Sequence, residues 1–458
     1  MKVIICGAGQ VGYSIAQYLA KQNNDITVID WSAELIQKIR EQLDVQALVG
    51  YASDPDLLDQ ANAQDADMLI AVTNSDEVNM VACQVAETLF QVPIKIARIR
   101  NRSYLKPTWA DLFGVKKMPI DHIISPEQEI ARAIYRRLEV PGVFELVPFA
   151  DNKVRVVGLR LEENCPVVNT PMTQLSELFP DLHITVMAIV RNHKMFIPKG
   201  EDHMCVGDSI YFAAEQAHVK RSMTVFGHEE KEARRIVIIG GGNIGLFLAE
   251  MLEKESPHLT VKLIETNQKR ADYIASQLKK TVVIHGDGLE ADILKEANIA
   301  KTETVVSVTN DDEVNILSSL LAKQLGALRA VTLINKPIYG PLITSLGVDV
   351  YLDPKETTVS TILQHIRKGK IKNLHSVRYG EAEIMEVEVL ETSPLFGRAF
   401  KDMNLPEGII AGAVVRGGEV IMPRGETVLE NHDRVIFLTF SNVIKKAEKL
   451  FAVRLDFF

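Results

Sequence analysis

An apolar run leading into a glycine turn occurs twice in this chain, and that repetition constrains the fold more than any other feature. Val3-Ile4-Ile5-Cys6-Gly7-Ala8-Gly9-Gln10-Val11-Gly12 returns 233 residues later as Ile236-Val237-Ile238-Ile239-Gly240-Gly241-Gly242-Asn243-Ile244-Gly245. Each run ends in G-x-G-x-x-G, the turn at which a strand hands over to a helix in a dinucleotide-binding unit. A second phrase repeats at an offset of 236 residues: Ala71-Val72-Thr73-Asn74-Ser75-Asp76-Glu77-Val78-Asn79 against Ser307-Val308-Thr309-Asn310-Asp311-Asp312-Glu313-Val314-Asn315. Two phrases in the same order at nearly equal offsets describe a tandem duplication of a whole nucleotide-binding module.

Length and composition set outer limits. At 458 residues the chain has room for several domains. The formal charge of −9 argues against a nucleic-acid partner, because phosphate binding needs a clustered positive face. Cys6, Cys83, Cys165 and Cys205 are widely spaced, so the spacing shows neither a disulfide framework nor a zinc site. No clustered His/Cys/Asp set at ligand spacing is visible, and no metal is expected. The chain opens directly on a strand pattern, so no signal peptide is expected. The longest apolar candidate, 236–252, is broken by glycines and Asn243, so direct membrane insertion is not expected either.

Short apolar runs alternate with amphipathic stretches of helical length in both halves. In the first half, 3–6, 26–29, 47–49, 68–72 and 94–99 read as buried strands. In the second, 236–239, 261–264, 282–284, 305–308 and 330–334 answer them. That alternation is the pattern of a doubly wound parallel sheet. Ser125-Pro126-Glu127-Gln128 predicts a helix start with a capping box, and Asp353-Pro354-Lys355-Glu356 is its counterpart. Each such helix is expected to lead out of one lobe into the next. Beyond each lies a smaller α+β lobe without a glycine fingerprint. These lobes repeat too, at an offset of 225: Ala188-Ile189-Val190-Arg191 with Gly207-Asp208 matches Ala413-Val414-Val415-Arg416 with Asp433. The charged stretch 228–234 reads as the linker between the copies.

In the first copy Gly7 permits the tight turn, Gly9 lets the backbone approach a pyrophosphate, and Gly12 allows close helix–strand packing. Asp30 ends the next strand, where a ribose-binding acid belongs; it favours NAD or adenosine nucleotides over NADP. Gly240, Gly242, Gly245 and Glu265 hold the same places in the second copy. Thr73-Asn74 and Thr309-Asn310 end the fourth strand at the carboxyl edge, where open α/β sheets bind ligands, and a site role is expected for them. For Asp76 and Glu77 two readings stand level, ligand contact or helix-start acids. Arg98 and Arg100 suit bidentate phosphate contact, one or the other closing on the pyrophosphate, and the alternative reading is a surface ion pair. The second copy has no arginine in Thr332-Leu333-Ile334-Asn335-Lys336, so the two sites are expected to be unequal.

These motifs together resemble the tandem RCK (KTN) family, the peripheral regulatory subunits of Trk-type potassium-uptake systems. The resemblance spans essentially the whole chain. It rests on GAGQVG, Asp30, AVTNSDEVNMVACQVA, ARIR, Asp121-His122 with the SPEQ helix, GGGNIG, SVTNDDEVN, AGAVVRG and the Asp433 segment. It implies two tandem units, each a Rossmann-like N-lobe followed by a small α+β C-lobe, at 1–123, 143–227, 232–348 and 368–453. Carried over, the family's nucleotide contacts fall on Gly7, Ala8, Gly9, Gln10, Val11, Asp30, Thr73, Asn74 and Arg98. In the second unit they fall on Gly240, Gly241, Gly242, Asn243, Ile244, Glu265, Thr309 and Asn310. The implied ligands are NAD(H) and ATP/ADP. The implied assembly is a homotetrameric ring on the cytoplasmic face of the cell inner membrane, docked on a membrane potassium channel subunit (TrkH/TrkG type).

Two other readings compete with a nucleotide-sensing gate regulator. An NAD-dependent dehydrogenase is allowed by the fold, but His183, His193 and His203 read as single solvent-facing or capped histidines, and no catalytic constellation accompanies them. A nucleotide-free scaffold is opposed by the intact glycines and by both ribose acids.

Overall fold

The structure, a computed structural model, describes residues 1–451 other than 23, 115–116, 180–181, 231, 367–370 and 379. The expected domain limits at 368 and 453 therefore fall outside the described residues.

The first glycine-loop lobe runs β1 (Lys2–Cys6), α1 (Gln10–Ala20), β2 (Asp25–Asp30), α2 (Ala33–Gln42), β3 (Gln46–Val49), α3 (Pro55–Gln60), β4 (Met68–Ala71), α4 (Asp76–Phe90), β5 (Ile94–Arg98) and β6 (His122–Ile124). The strands lie in the order β3-β2-β1-β4-β5-β6, all parallel. The reversal of strand order beside β1 makes the crevice at the carboxyl ends in which such sheets hold ligands. Helices on both faces explain why β1 and β4 read as unbroken apolar runs.

Helix α5 (Pro126–Glu139) leads on to β7 (Val143–Phe149), β8 (Val154–Arg160), α6 (Met172–Leu178), β9 (Ile184–Arg191), β10 (Lys194–Phe196), β11 (Ser209–Glu215) and α7 (Val219–Val225). This first small lobe is an antiparallel sheet in the order β10-β9-β11-β8-β7.

The second glycine-loop lobe repeats the first: β12 (Arg235–Ile239), α8 (Asn243–Glu255), β13 (Thr260–Glu265), α9 (Gln268–Gln277), β14 (Val282–His285), α10 (Ala291–Glu296), β15 (Thr304–Ser307), α11 (Asp312–Gln324), β16 (Arg329–Leu333), α12 (Gly340–Leu346) and β17 (Val350–Leu352). Its parallel order, β14-β13-β12-β15-β16-β17, is that of the first lobe. After α13 (Pro354–Ile366) come β18 (Ile371–Val377), β19 (Ala382–Glu388), β20 (Ile409–Arg416), β21 (Glu419–Ile421), β22 (Arg434–Phe440) and α14 (Ile444–Phe451), with sheet order β18-β19-β22-β20-β21.

The chain forms two compact units: residues 1–129 with 354–362, and residues 130–353 with 363–458. The division falls inside α5 and α13. Within the second unit, Ile130, Ile134 and Leu138 of α5 are buried in one core with Ile236, Leu246 and Leu252 of the second glycine-loop lobe. Helical spacing presents these three residues on one stripe, but the partner they bury against lies a hundred residues further along the chain. Truncating the fully buried Ile134 to Ala is expected to cost about 2–5 kcal/mol. The two small lobes also share a core, with Phe149, Val156 and Met187 of the first beside Ile384, Ala413 and Leu438 of the second. A Cβ on Gly412 would stand 2.9 Å from Ala213 Cβ and 2.6 Å from Met187 Sδ, so a larger residue there would have to displace this packing.

Two local expectations change. The capping box at Ser125 does not form: the Gln128 N–H donates to the Ser125 carbonyl (3.0 Å), and Ser125 Oγ is buried without a partner. The tight first turn satisfies its amide through the main chain and leaves the hydroxyl idle. The charged linker is not simply solvated at its start, since His228 is buried, its ring nitrogens 2.9 Å from Glu230 Oε1 and 2.9 Å from the Arg160 carbonyl.

The repeated phrase of the small lobes is an ion pair. Arg191 forks onto Asp208 at 2.9 and 2.7 Å, and Arg416 onto Asp433 at 2.9 and 2.8 Å. Both aspartates are buried and also accept a backbone N–H, so the charge enters the core fully bonded.

Candidate functional site

Each glycine of the first fingerprint has its own physical reason. Gly7 has φ +112°, a conformation closed to most side chains. A Cβ on Gly12 would lie 1.8 Å from the Gly7 carbonyl oxygen, so only glycine lets α1 pack on the turn. Gly9 faces open space, with no protein atom within 4 Å of where its Cβ would be. The second loop reproduces all three: Gly240 at φ +107°, Gly245 with 2.0 Å to the Gly240 oxygen, and Gly242 open.

The helix starts behind these loops are left bare. In the first lobe α2, α3 and α4 are capped by the side chains of Ser32, Asp54 and Ser75. Helix α1 is capped by Gly9, which has no side chain to offer, and no acid stands in its first turn. Helix α8 is the same behind Gly242. A helix start exposes unpaired N–H groups and a positive dipole end. Opposite an open glycine cradle, that is the arrangement that receives a phosphate.

The two acids stand at the lip of this cradle. Asp30 Oδ2 accepts the Ala8 N–H at 2.6 Å and Oδ1 accepts the Ser32 N–H at 2.8 Å. Glu265 Oε2 accepts the Gly241 N–H at 2.8 Å and Oε1 the Asn267 N–H at 2.8 Å. Each carboxylate is thereby fixed at its strand end, beside the glycine loop and the start of the following helix.

Asn79 and Asn315 emerge as the braces of the site, buried completely. Asn79 Oδ1 accepts the Thr73 N–H (2.9 Å) and hydroxyl (2.7 Å), while Nδ2 donates to the carbonyls of Thr73 and Arg98. Asn315 does the same for Thr309 and the Leu333 carbonyl. The hydroxyls of Thr73 and Thr309, expected to meet a ligand, turn inward here to the Asn79 and Asn315 amides. Asn74 and Asn310 remain at the edge, exposed. The level readings of Asp76 resolve to structure: its buried carboxylate accepts the N–H groups of Arg100 and Asn101, and Asp312 accepts those of Asn335 and Lys336. Glu77 is exposed and accepts from the Ser75 hydroxyl.

Arg98 is not a free phosphate clamp. Its Nη2 lies 3.4 Å from Glu127 Oε1, which also accepts from Arg100 Nε at 3.1 Å. Burial depresses the Arg98 guanidinium against the pull of Glu127, and its Nε has no partner. At the matching register the second lobe has Leu333, buried. There the cation comes from another element. Arg270, on α9, donates from Nε to the Gly241 carbonyl (2.8 Å) and lies 3.4 Å from Asn243 Oδ1. No single-sequence signal marked Arg270, because its first-lobe counterpart is Leu35.

Among the described residues no helix is long and apolar enough to cross a membrane. Fold and site together define a tandem nucleotide-fold protein: two Rossmann-like lobes with phosphate-type glycine loops, each followed by a small antiparallel lobe. The model of the TrkA-N domain matches residues 3–126 and 236–354, and that of the TrkA-C domain matches 156–227 and 384–452. The Trk system potassium uptake protein TrkA of Azorhizobium caulinodans is 49% identical across the full length of both chains. That of Halomonas elongata is 41% identical, again across both. The chain belongs to the TrkA family of potassium-uptake proteins, a family of transport-system components and not of enzymes. Among solved structures, the GsuK RCK domain covers 98% of this chain and 94% of its own at TM-score 0.61 and 18% identity, and the GsuK channel bound to NAD also has TM-score 0.61. At that identity the likeness is one of fold: two tandem RCK units.

Proposed function

We propose that the chain is a cytosolic nucleotide-sensing regulatory subunit of a Trk-type potassium-uptake system. It binds NAD(H), ATP or ADP and gates a membrane potassium channel subunit. The observation that carries the reading is the pair of bare helix starts behind Gly9 and Gly242, each with an acid at its lip. The backbone N–H groups after each loop would hold phosphate, and Asp30 and Glu265 the ribose hydroxyls. To do so each carboxylate exchanges part of its present bonding to the loop amide for ligand. Coupling of ligand to loop position is then built into the site. An acid at the ribose favours NAD over its 2′-phosphorylated form. Solved GsuK structures bound to NAD and to ADP support a nucleotide as the ligand.

Gating requires a ligand to bind one state of the assembly more tightly than another. A tenfold preference supplies about 1.4 kcal/mol per site, and several copies acting together multiply the shift. A homotetrameric ring, peripheral on the cytoplasmic face of the inner membrane, fits this need. The lobes 1–123, 143–227, 232–348 and 368–453 are its working parts.

The test is potassium flux into vesicles carrying the channel subunit, with this protein and each nucleotide added outside. Flux that depends on nucleotide, and loses that dependence in Asp30→Ala, supports the reading. Flux indifferent to every nucleotide while the protein still docks contradicts it.

A further inference from the structure

The first small lobe holds a cluster that its twin lacks. In the register of the β9–β11 pair, Ile184 faces Ala214, which brings His183 level with Glu215 at the strand ends. From Glu215 the chain makes a single 3₁₀ turn, Gln216–His218, in which residues three apart lie on one side. His218 is thereby set over Glu215, its Nδ1 3.3 Å from Glu215 Oε2. The His183 and His218 rings stack at 4.8 Å with 22° between planes. One ligand atom from each of the three lies within 4.8 Å of the others.

Two further observations point to a ligand. His218 Nδ1 is a buried atom whose contact with Glu215 Oε2 at 3.3 Å falls outside hydrogen-bond geometry, and an ion held between the two would satisfy both. His183 sits at φ +49°, in the left-handed region. At the matching position of the second small lobe, 225 residues on, stands Gly408 at φ +99°. Glu215 and His218 correspond to Phe440 and Val443, and a Cβ on Gly408 would touch both at 3.3 and 3.1 Å. The same backbone corner is thus an apolar plug in one copy and a His-Glu-His cluster in the other. The first copy places an imidazole at the corner where its twin has glycine.

We infer that His183, Glu215 and His218 form a binding site for a divalent transition-metal ion of the zinc class. Two imidazoles and one carboxylate match zinc's ligand preference. Bonds of about 2.0–2.2 Å in a tetrahedron bring ligand atoms to roughly 3.4 Å apart, so a modest rotamer closure completes the set. The fourth position is left to water. The ion would clip the start of β9 to the end of β11, stiffening the edge of the first small lobe alone. It owes nothing to the nucleotide reading.

The test is calorimetric titration of the full chain with Zn2+, paired with the visible absorption of bound Co2+. Wild type is expected to take up one Zn2+ per chain with micromolar or tighter affinity. It should show the Co2+ spectrum and a Tm raised by the metal. His183→Gly, which installs the twin's residue and relieves the backbone, should weaken binding at least about 100-fold, beyond the 10–100-fold typical of outer partners. Glu215→Gln gives an independent loss without disturbing the stack. Unchanged Zn2+ affinity in both variants, with folding intact, would place the ion elsewhere and overturn the assignment. So would wild type that shows no saturation below about 100 μM.

Discussion

The two glycine-loop lobes share a backbone and differ in what surrounds it. Both keep the positive-φ first glycine, the open second one, the Thr–Asn brace and the buried aspartate under the β5 or β16 end. Around that frame the first lobe has Ala8, Asp30 and the Arg98–Glu127 pair, and the second Gly241, Glu265 and Arg270. Even the interior diverges: Ala71, Ala82, Cys83 and Ala97 in the first lobe answer to Ser307, Ser318, Ser319 and Thr332 in the second. Those four hydroxyls form a closed buried network, with Ser319 Oγ 2.9 Å from Ser307 and 2.7 Å from Thr332. The groups proposed to meet a phosphate, main-chain amides, are common to both copies. The side chains that tune affinity are not. On the proposed reading, that division makes the chain a duplicated sensor with two unequal sites.

The largest expected effects separate glycines that pack from glycines that bind. Gly12→Ala drives a methyl into the Gly7 oxygen and should cost about 3 kcal/mol or more, unfolding the first lobe before the second in a thermal melt. Gly245→Ala should reverse that order. Equal loss in both lobes from either change would break the comparison. Next comes the open glycine. Gly9→Ala meets no protein atom, so its Tm should stay within about 1–2 °C while first-site nucleotide affinity falls at least tenfold by calorimetry. Gly242→Ala should do the same at the second site only.

Arg270→Ala sharpens the comparison further. It should weaken the second site about 3–10-fold and leave the first alone, because Arg270 anchors Gly241 and approaches Asn243. Arg98→Ala should act mainly on stability, by about 1–2 kcal/mol, since it removes one of the two guanidinium groups paired with the buried Glu127 carboxylate and leaves Arg100 as its partner. Denaturant midpoints and binding isotherms on both variants distinguish the two outcomes. Equal effects of Arg98→Ala on both sites would refute the inequality.

The smallest effect lies at the junction between the copies. Burial lowers the His228 imidazolium, but Glu230 and the Arg160 carbonyl outweigh it and hold its pKa above the ordinary 6.5. A raised folded pKa contributes stability that is complete below the unfolded value near 6.5 and fades as pH rises through the folded value. Thermal melts should therefore show a mild loss as pH rises above about 6.5 that disappears in His228→Gln. A loss on the acid side of that value would reverse the assignment.

Much of this was legible in the chain because it is carried by local pattern. The five longer strands of each large lobe, both glycine turns and both strand-end acids follow from short motifs whose chemistry is self-contained. The edge strands β6 and β17 were not, since three residues carry too little periodicity. The burial of α5 against the second large lobe was hidden for a different reason: an apolar stripe announces that it is buried, not against what. The bond from Thr73 to Asn79 was not legible, because a hydroxyl at a carboxyl edge reads alike whether it faces ligand or a neighbouring amide. His183 and His218 are 35 residues apart, and only the β9–β11 register joins them.

The most direct test of the central claim is calorimetric titration of the intact protein with NADH, NAD, ATP and ADP, singly and in competition, in wild type, Asp30→Ala and Glu265→Ala. Two unequal nucleotide sites per chain are predicted, with Asp30→Ala removing one class, Glu265→Ala the other, and no cofactor turnover. A single class of identical sites, or no saturable binding by any of the four, would contradict the account.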